Sequence, residues 1–526
     1  MRRRRFPLLP LSLLIPLLLL RPSHGYGFQP HTHQLLVAFR NPSRNTMGFR
    51  TGRKKKYVLP QVEFMSAFNA TKPRSSSGSS SSIALRPLAP QPTIPFYRIE
   101  HGNSDNQTDF EAHLVETVQR CVLAYGLFQI LATGESLAAA AAAAADLDRG
   151  AIERDNATPT LIRGDTGNII KRKWRIGVVD LQEEPQHQSD DNEAVLKEFH
   201  PYFHTVAGLD PALQQRDERG PPPDLDFVIF LLPGPGGVLL CRRLAQGPAI
   251  GKGYTYATTP RRPRSGILRL LAERRQEAAF STPTAMEPEM AWVMNNLVRV
   301  RVGSKVLDPF VGSGSLLFAA ILLGAGELVG TDAAVELVGE GAGTAKQKIL
   351  KSFVYEKEEF SPWVPPLGCV MPVHVLGQAD ILAWEAHPLL FRREYYDCIV
   401  TDPPYDLKAK VQGATKTTPA AAGAAGAAAA AAEEVDVAKK RQQTAMPAIV
   451  KLMKAATHVL VPGGRLVFFL PVWGKHNFES REAASDSISP PLALPPLPPA
   501  LRLVAILPQV FSPTFVRWLV CMEKRT

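Results

Sequence analysis

Four segments of this sequence place an acid at or just beyond the end of an apolar run: "KVLDPFVGSGS", "ELVGTD", "VHVLGQAD" and "YDCIVTDPPY". Each run reads as a buried strand of a parallel sheet, so Asp308, Asp332, Asp380 and Asp402 stand at strand carboxyl ends. Open α/β sheets bind ligands there. Behind Asp308, the stretch Pro309, Phe310, Gly312, Ser313 and Gly314 makes a glycine-rich turn into a helix amino terminus, where backbone can approach a ligand. It lacks the Gly-Lys-Ser/Thr ending of a phosphate loop, and Leu317 replaces the third glycine of a dinucleotide fingerprint. Asp332 is placed to accept both hydroxyls of a ribose, and Asp380 to face the exocyclic amine of an adenine. The fourth acid differs. Pro403 and Pro404 cannot donate to a sheet ladder, so they end the strand and leave Asp402 and Tyr405 at the mouth of the site.

These acids need a sheet to hold them. From about residue 265 to 526 strand-like and helical runs alternate, which predicts a doubly wound α/β domain, and the order of its seven strand-like runs resembles a Rossmann-like fold. Helices are expected from about Ser315 and Val335. "LRLVAILPQVF" and "FVRWLVCME" are separated only by "SPT", so the final strand should run antiparallel to its neighbour. A first, α+β region is expected over residues 34–250, with strands at "QLLVAF", "WRIGVVDL" and "LDFVIFLL". Its one long helical segment is expected at "FEAHLVETVQRCVLAYGLFQILATGESL". Low-complexity insertions interrupt both regions: "SSSGSSSS", the alanines from Ala138 to Ala145, "TPAAAGAAGAAAAAA" and "ISPPLALPPLPPA".

The formal net charge of +11 over 526 residues favours a polyanionic partner, nucleic acid being the commonest. "FRTGRKKKY" is a basic run that suits phosphate contact or plain solvation. Five cysteines without paired spacing argue against a zinc site and for reduced or inert thiols. His204 and His374 read as core or surface histidines, and Trp174, Trp363 and Trp518 as core aromatics.

The ordered set "DPFVGSGS", "GTD", "GQAD" and "TDPPY" resembles the motifs of S-adenosylmethionine-dependent amino-methyltransferases. Within them, the chain is similar to the tRNA guanine-10 N2-methyltransferases. Thr284-Ala285-Met286-Glu287 resembles the element that precedes that family's first strand, and "QRCVLAYGLFQILATGESL" resembles a helix of its THUMP-containing RNA-binding half. The resemblance implies S-adenosyl-L-methionine as cofactor, held by Asp308, Pro309, Phe310, Gly312, Ser313, Gly314, Asp332 and Asp380. It implies tRNA as substrate, with Asp402, Pro403, Pro404 and Tyr405 as catalytic residues and no metal. Asp402 and the Pro403 carbonyl would accept the two N–H groups of an exocyclic amine, and Tyr405 would stack on the base. One departure stands out: the family carries Gly after Asp-Pro-Pro-Tyr, and this chain carries Asp406. An adenine-N6 methyltransferase and an inactive RNA-binding scaffold are the alternative readings.

Eukaryotic members of that family work with a small zinc-binding activator protein that pairs along a sheet edge, for which "VHVLGQ" is the candidate strand. A fragment starting near Ser281 is expected to bind cofactor without methylating tRNA. Residues 1–27 have the layout of a secretory-type signal, read either as a plastid or other organellar address or as a mispredicted start on a cytoplasmic enzyme. No other stretch reaches membrane-spanning length, so a soluble protein without stable membrane association is expected.

Overall fold

A computed structural model describes residues 34–39, 58–71, 83–88, 96–101, 107–151, 173–180, 192–203, 214, 225–232, 237–248, 268, 271, 286–312, 314–332, 373–403, 445–473, 494–512 and 515–526. Residues 1–27, the "FRTGRKKKY" run, His204 and Trp363 lie outside them, as does the helix expected from Val335.

Two seven-stranded sheets organise the chain. The first is built from β1 (Leu35–Phe39), β2 (Ile83–Pro87), β3 (Phe96–His101), β4 (Ala124–Gly134), β5 (Trp174–Asp180), β6 (Leu225–Leu231) and β7 (Val238–Gln246), in the order β2-β3-β1-β4-β7-β6-β5. Four helices accompany it: α1 (Val58–Thr71), α2 (Gln107–Arg120), α3 (Leu137–Ala151) and α4 (Asn192–Pro201). The period-2 alternation of β1 sends Leu35, Val37 and Phe39 into one cluster with Phe64 and Phe68 of α1 and Leu114 of α2. Leu36 and Ala38 enter the opposite cluster, with Phe96, Phe128 and Phe230.

Here the structure corrects the expectation of one long helix. Helix α2 stops at Arg120, and residues 124–134 form a strand that pairs antiparallel with both β1 and β7. Its residues suit either state locally, but as a central strand it satisfies its backbone on both sides and buries Leu127 and Phe128 on opposite faces. Gly126 is required by that packing, because a Cβ there would lie 2.9 Å from the Ala245 carbonyl oxygen.

The second sheet is the doubly wound one. It contains β8 (Lys305–Asp308), β9 (Glu327–Asp332), β10 (Val373–Gln378), β11 (Tyr396–Thr401), β12 (Leu460–Trp473), β13 (Leu501–Ser512) and β14 (Phe515–Lys524), in the order β10-β9-β8-β11-β12-β14-β13. The pairings among β10, β9, β8, β11 and β12 are parallel, and β14 runs antiparallel to both β12 and β13. The hairpin expectation thus matches the observed register. Helices Pro288–Leu297 and Ser315–Leu322 pack on one face, over Val306, Val400 and Phe469. The helix 445–459 and the 3-10 helix Ile381–Ala386 pack on the other, over Leu307, Ile399 and Phe468.

The two regions share a core. Leu59 of α1 and Val122 and Leu123, which follow α2, join the cluster around Met290, Trp292 and Met294. Polar groups seal the junction. The Glu63 carboxylate, fully buried, accepts from the backbone N–H of Val122 and Leu123 and from Asn296 Nδ2 at 2.8 Å. Trp292 Nε1 donates to the Arg120 carbonyl at 2.7 Å, and Arg120 Nε donates to Asn296 Oδ1 at 2.8 Å. Burial pushes the Arg120 pKa down to about 10, which leaves it charged at neutral pH.

Trp174 and Trp518 are buried, as expected of core aromatics. The four described cysteines are buried as free thiols, and burial pushes the pKa of each upward. Among the described residues no helix is long and apolar enough to cross a membrane, and no group of three His, Cys, Asp or Glu could hold a metal ion.

Candidate active site

Strand order reverses at β8, whose neighbours are β9 on one side and β11 on the other. Connections leave the sheet in opposite directions at such a point, and a crevice opens beyond the carboxyl ends of the two strands. Asp308 ends β8, and Asp402 follows β11. The two strands are tied across this crevice. Asp308 Oδ1 accepts from Thr401 Oγ1 at 2.6 Å and from the Phe310 N–H at 3.1 Å.

Asp308 is therefore turned inward, with 1 % of its surface exposed. Burial pushes its pKa up to about 7; the Thr401 and Phe310 hydrogen bonds oppose that, while the charges of Asp332 and Asp402 add to it. An acid whose folded pKa exceeds its unfolded value holds its proton more tightly when folded. Its stabilising contribution is complete below an unfolded aspartate pKa of about 3.9 and is lost as pH rises toward 7. Asp308→Asn keeps an acceptor for both donors and should flatten the stability curve over that interval. Thermal unfolding of the two proteins at several pH values measures this. Curves that run parallel would show that Asp308 is already ionised in the folded chain.

The glycine-rich turn is docked on β9. Val311 N–H donates to the Thr331 carbonyl at 2.9 Å, Gly312 N–H to Asp332 Oδ2 at 3.1 Å, and Thr331 Oγ1 to the Pro309 carbonyl at 3.4 Å. Gly312 and Gly314 adopt φ of 46° and 79°, a region that L side chains rarely enter, and Gly314 leads into the helix Ser315–Leu322. A Cβ on Gly312 would meet nothing nearer than the Phe310 carbonyl oxygen at 4.0 Å, so the space beside this turn is open. Phe310 itself packs on the core beneath Leu307 and Val329.

Asp380 lies beyond the end of β10, is exposed, and accepts from the Leu382 N–H at 2.9 Å, capping the 3-10 helix. Ala379 N–H donates to the Asp332 carbonyl at 3.1 Å, which holds this loop beside the end of β9. Asp402 is partly exposed and Pro403 is buried. Arg517 Nη1 of β14 lies 3.4 Å from Asp402 Oδ2. Ser313, Pro404, Tyr405 and Asp406 are outside the described residues, as are Thr284 and Ala285.

The structure thus brings Asp308, Asp332 and Asp402 to one crevice and leaves Asp380 at its rim, capping a helix. Sequence reasoning missed Thr401 and Arg517. A lone arginine inside the apolar run "FVRWLVC" was the available signal, since a charge in a buried strand must find a partner.

Residues 275–357 match the family described as "UPF0020: RMKL-like, methyltransferase domain". Over 253 residues, 47% of this chain and 48% of the relative, the sequence is 29% identical to tRNA (guanine(10)-N(2))-methyltransferase TRMT11 of Mus musculus. The protein of the same name in Dictyostelium discoideum is 26% identical over 288 residues, 54% of this chain and 47% of the relative. The match spans about half the length of these curated relatives. Among solved structures, TrmN from Thermus thermophilus aligns with a TM-score of 0.36 and 15% identity, covering 94% of this chain and 100% of that one. These likenesses in sequence are to methyltransferases, over residues 275–357 for the family and over about half of the chain for the curated relatives.

Proposed function

We propose that this protein transfers a methyl group from S-adenosyl-L-methionine to the exocyclic N2 of a guanosine in tRNA, with guanosine 10 as the target. The observation that carries the reading is the position of Asp402 and Pro403, directly after β11 at the switch point of a doubly wound sheet. The names of the curated relatives supply the substrate.

The residues at the crevice suit the cofactor. Gly312 leaves open space beside the turn, Gly314 leads into a helix amino terminus, and Asp332 stands at the adjacent strand end, a set suited to a nucleoside. Pro309, Phe310, Gly312, Ser313, Gly314, Asp332 and Asp380 would hold it, with Asp308 acting from beneath by fixing the turn. When bound, S-adenosylmethionine supplies an electrophilic methyl group. The chain's own work lies on the acceptor side. An exocyclic amine is a poor nucleophile because its lone pair is delocalised into the ring. Asp402 and the Pro403 carbonyl accept its two N–H groups, which orients the nitrogen and stabilises positive charge developing on it. Pro404 keeps that carbonyl fixed, and Tyr405 stacks on the base, a contact worth about 1–3 kcal/mol.

In this reading the α+β region is a THUMP-type tRNA-binding unit spanning residues 34–250, and residues 265–526 form the catalytic domain. A small zinc-binding activator docks along β10, which among the described residues is an edge strand of the second sheet. Residues 1–27 direct the chain to an organelle, or the protein is cytoplasmic.

The test is methyl transfer by the purified chain, alone and co-expressed with such an activator, to tRNA lacking modification, followed by mass spectrometry of nucleosides. N2-methylguanosine is the expected product. N6-methyladenosine would move the chain to the adenine class, and no product under either condition would make it a scaffold.

A further inference from the structure

Arg517 sits on β14 and meets residues from two other strands, β13 and β12, and from the end of a third, β11. Directly opposite in the register, Gln509 of β13 is fully buried, and its Oε1 accepts from Arg517 Nε. On the other side, the guanidinium carbon lies 4.0 Å from the ring centroid of Phe469 of β12. The remaining edge of the fork reaches across β12 to Asp402, at the end of β11. A guanidinium this buried is costly unless paired, and an isolated charge at this depth would favour an apolar residue. With Nε on Gln509 and the guanidinium over Phe469, Nη1 faces the acid of the Asp-Pro-Pro-Tyr segment.

We propose that Arg517 is a positioning residue for methyl transfer, fixing the Asp402 carboxylate so that it meets the acceptor amine in one geometry. The proposal rests on the reading that Asp402 receives that amine. Thr401 and Asp308 anchor the backbone on the β8 side of the crevice, and Arg517 anchors the Asp402 side chain from the β14 side. The ion pair also sets a fixed positive charge beside Asp402, opposite the carboxyl of Asp308. Arginine supplies what lysine cannot: a planar fork that binds Gln509 and Asp402 at once while stacking on Phe469.

The test is a double-mutant cycle on the full chain, using Arg517→Met and Asp402→Asn, with Arg517→Lys as a second substitution that keeps the charge. The acceptor is whichever nucleic acid the parent chain methylates, from a panel of unmodified tRNA, other RNA and DNA. Arg517→Met should lower kcat by roughly 10- to 100-fold, the scale of a misplacement of about 1 Å. KM for the nucleic acid and the Kd of S-adenosylmethionine should change little, while Tm should fall modestly because Gln509 loses its donor. Arg517→Lys should recover only part of the loss. In the Asp402→Asn background, Arg517→Met should cost nothing further, because its effect is exerted through Asp402. Losses that multiply, or a fall in Tm and cofactor affinity that accounts for the fall in rate, would overturn the proposal and make Arg517 a structural residue. Methylation of a base other than guanine, with the same coupling, would overturn the substrate reading and support the role of Arg517. A parent chain that methylates nothing in the panel overturns both.

Discussion

Asp402→Ala should lower methyl transfer by roughly 10²- to 10³-fold, the scale on which one preorganised charge-stabilising group acts, while cofactor affinity stays within about threefold. The separation follows from position. Asp402 stands beyond β11, whereas the glycine-rich turn and Asp332 belong to β8 and β9. Alanine also removes the carboxylate that Arg517 faces, so some loss of stability is expected beside the loss of rate. Asp402→Asn preserves the shape and separates the two effects. Single-turnover transfer and calorimetric titration of the cofactor are the measurements. Near-normal turnover in both variants would remove Asp402 from the mechanism.

Separating the two regions should unfold them. The sequence alone suggests that a chain beginning near Ser281 binds cofactor, but such a chain would expose the face of Met290, Trp292 and Met294 that Leu59, Val122 and Leu123 cover. It would also lack Arg120 and Glu63, the partners of Asn296 and Trp292 in a buried junction. The fragment is therefore expected to aggregate or to bind no cofactor. In the intact chain, Trp292→Ala deletes a large core side chain and should destabilise by about 3–5 kcal/mol. Unfolding followed by probes placed in each region should show one shared transition. Two well-separated transitions, or a stable, cofactor-binding fragment, would establish that the regions fold independently.

The shared core also bears on how substrate could be presented. Arg465 of β12 donates to Ser66 Oγ of α1 and to the Leu297 carbonyl while paired with Glu523. A strand of the second sheet, a helix of the first region and the helix Pro288–Leu297 thus meet at one buried cation. Such a charge is costly to strand, so the arrangement favours one relative placement of the two regions.

Several features of this protein are written locally. Apolar runs that end in an acid mark strand ends, and at Asp308 and Asp402 a following proline fixes the end by backbone chemistry alone, which makes Asp308, Asp332 and Asp402 legible in the chain's own residues. The short spacer "SPT" likewise dictates an antiparallel hairpin. Where local chemistry is ambivalent, tertiary pairing decides. Residues 124–134 are a strand because β1 and β7 flank them, which periodicity within the segment cannot register. Strand order is likewise invisible in the sequence, and it alone puts β10 at an edge and β14 between β12 and β13. The inward turn of Asp308 depends on Thr401, the orientation of Asp402 on Arg517, and the junction on Glu63 and Asn296, which lie 233 positions apart. The first two contacts run between strands and the third between helices. Burial makes each of them costly to leave unmade, and only the folded chain says which partner is near enough to make it.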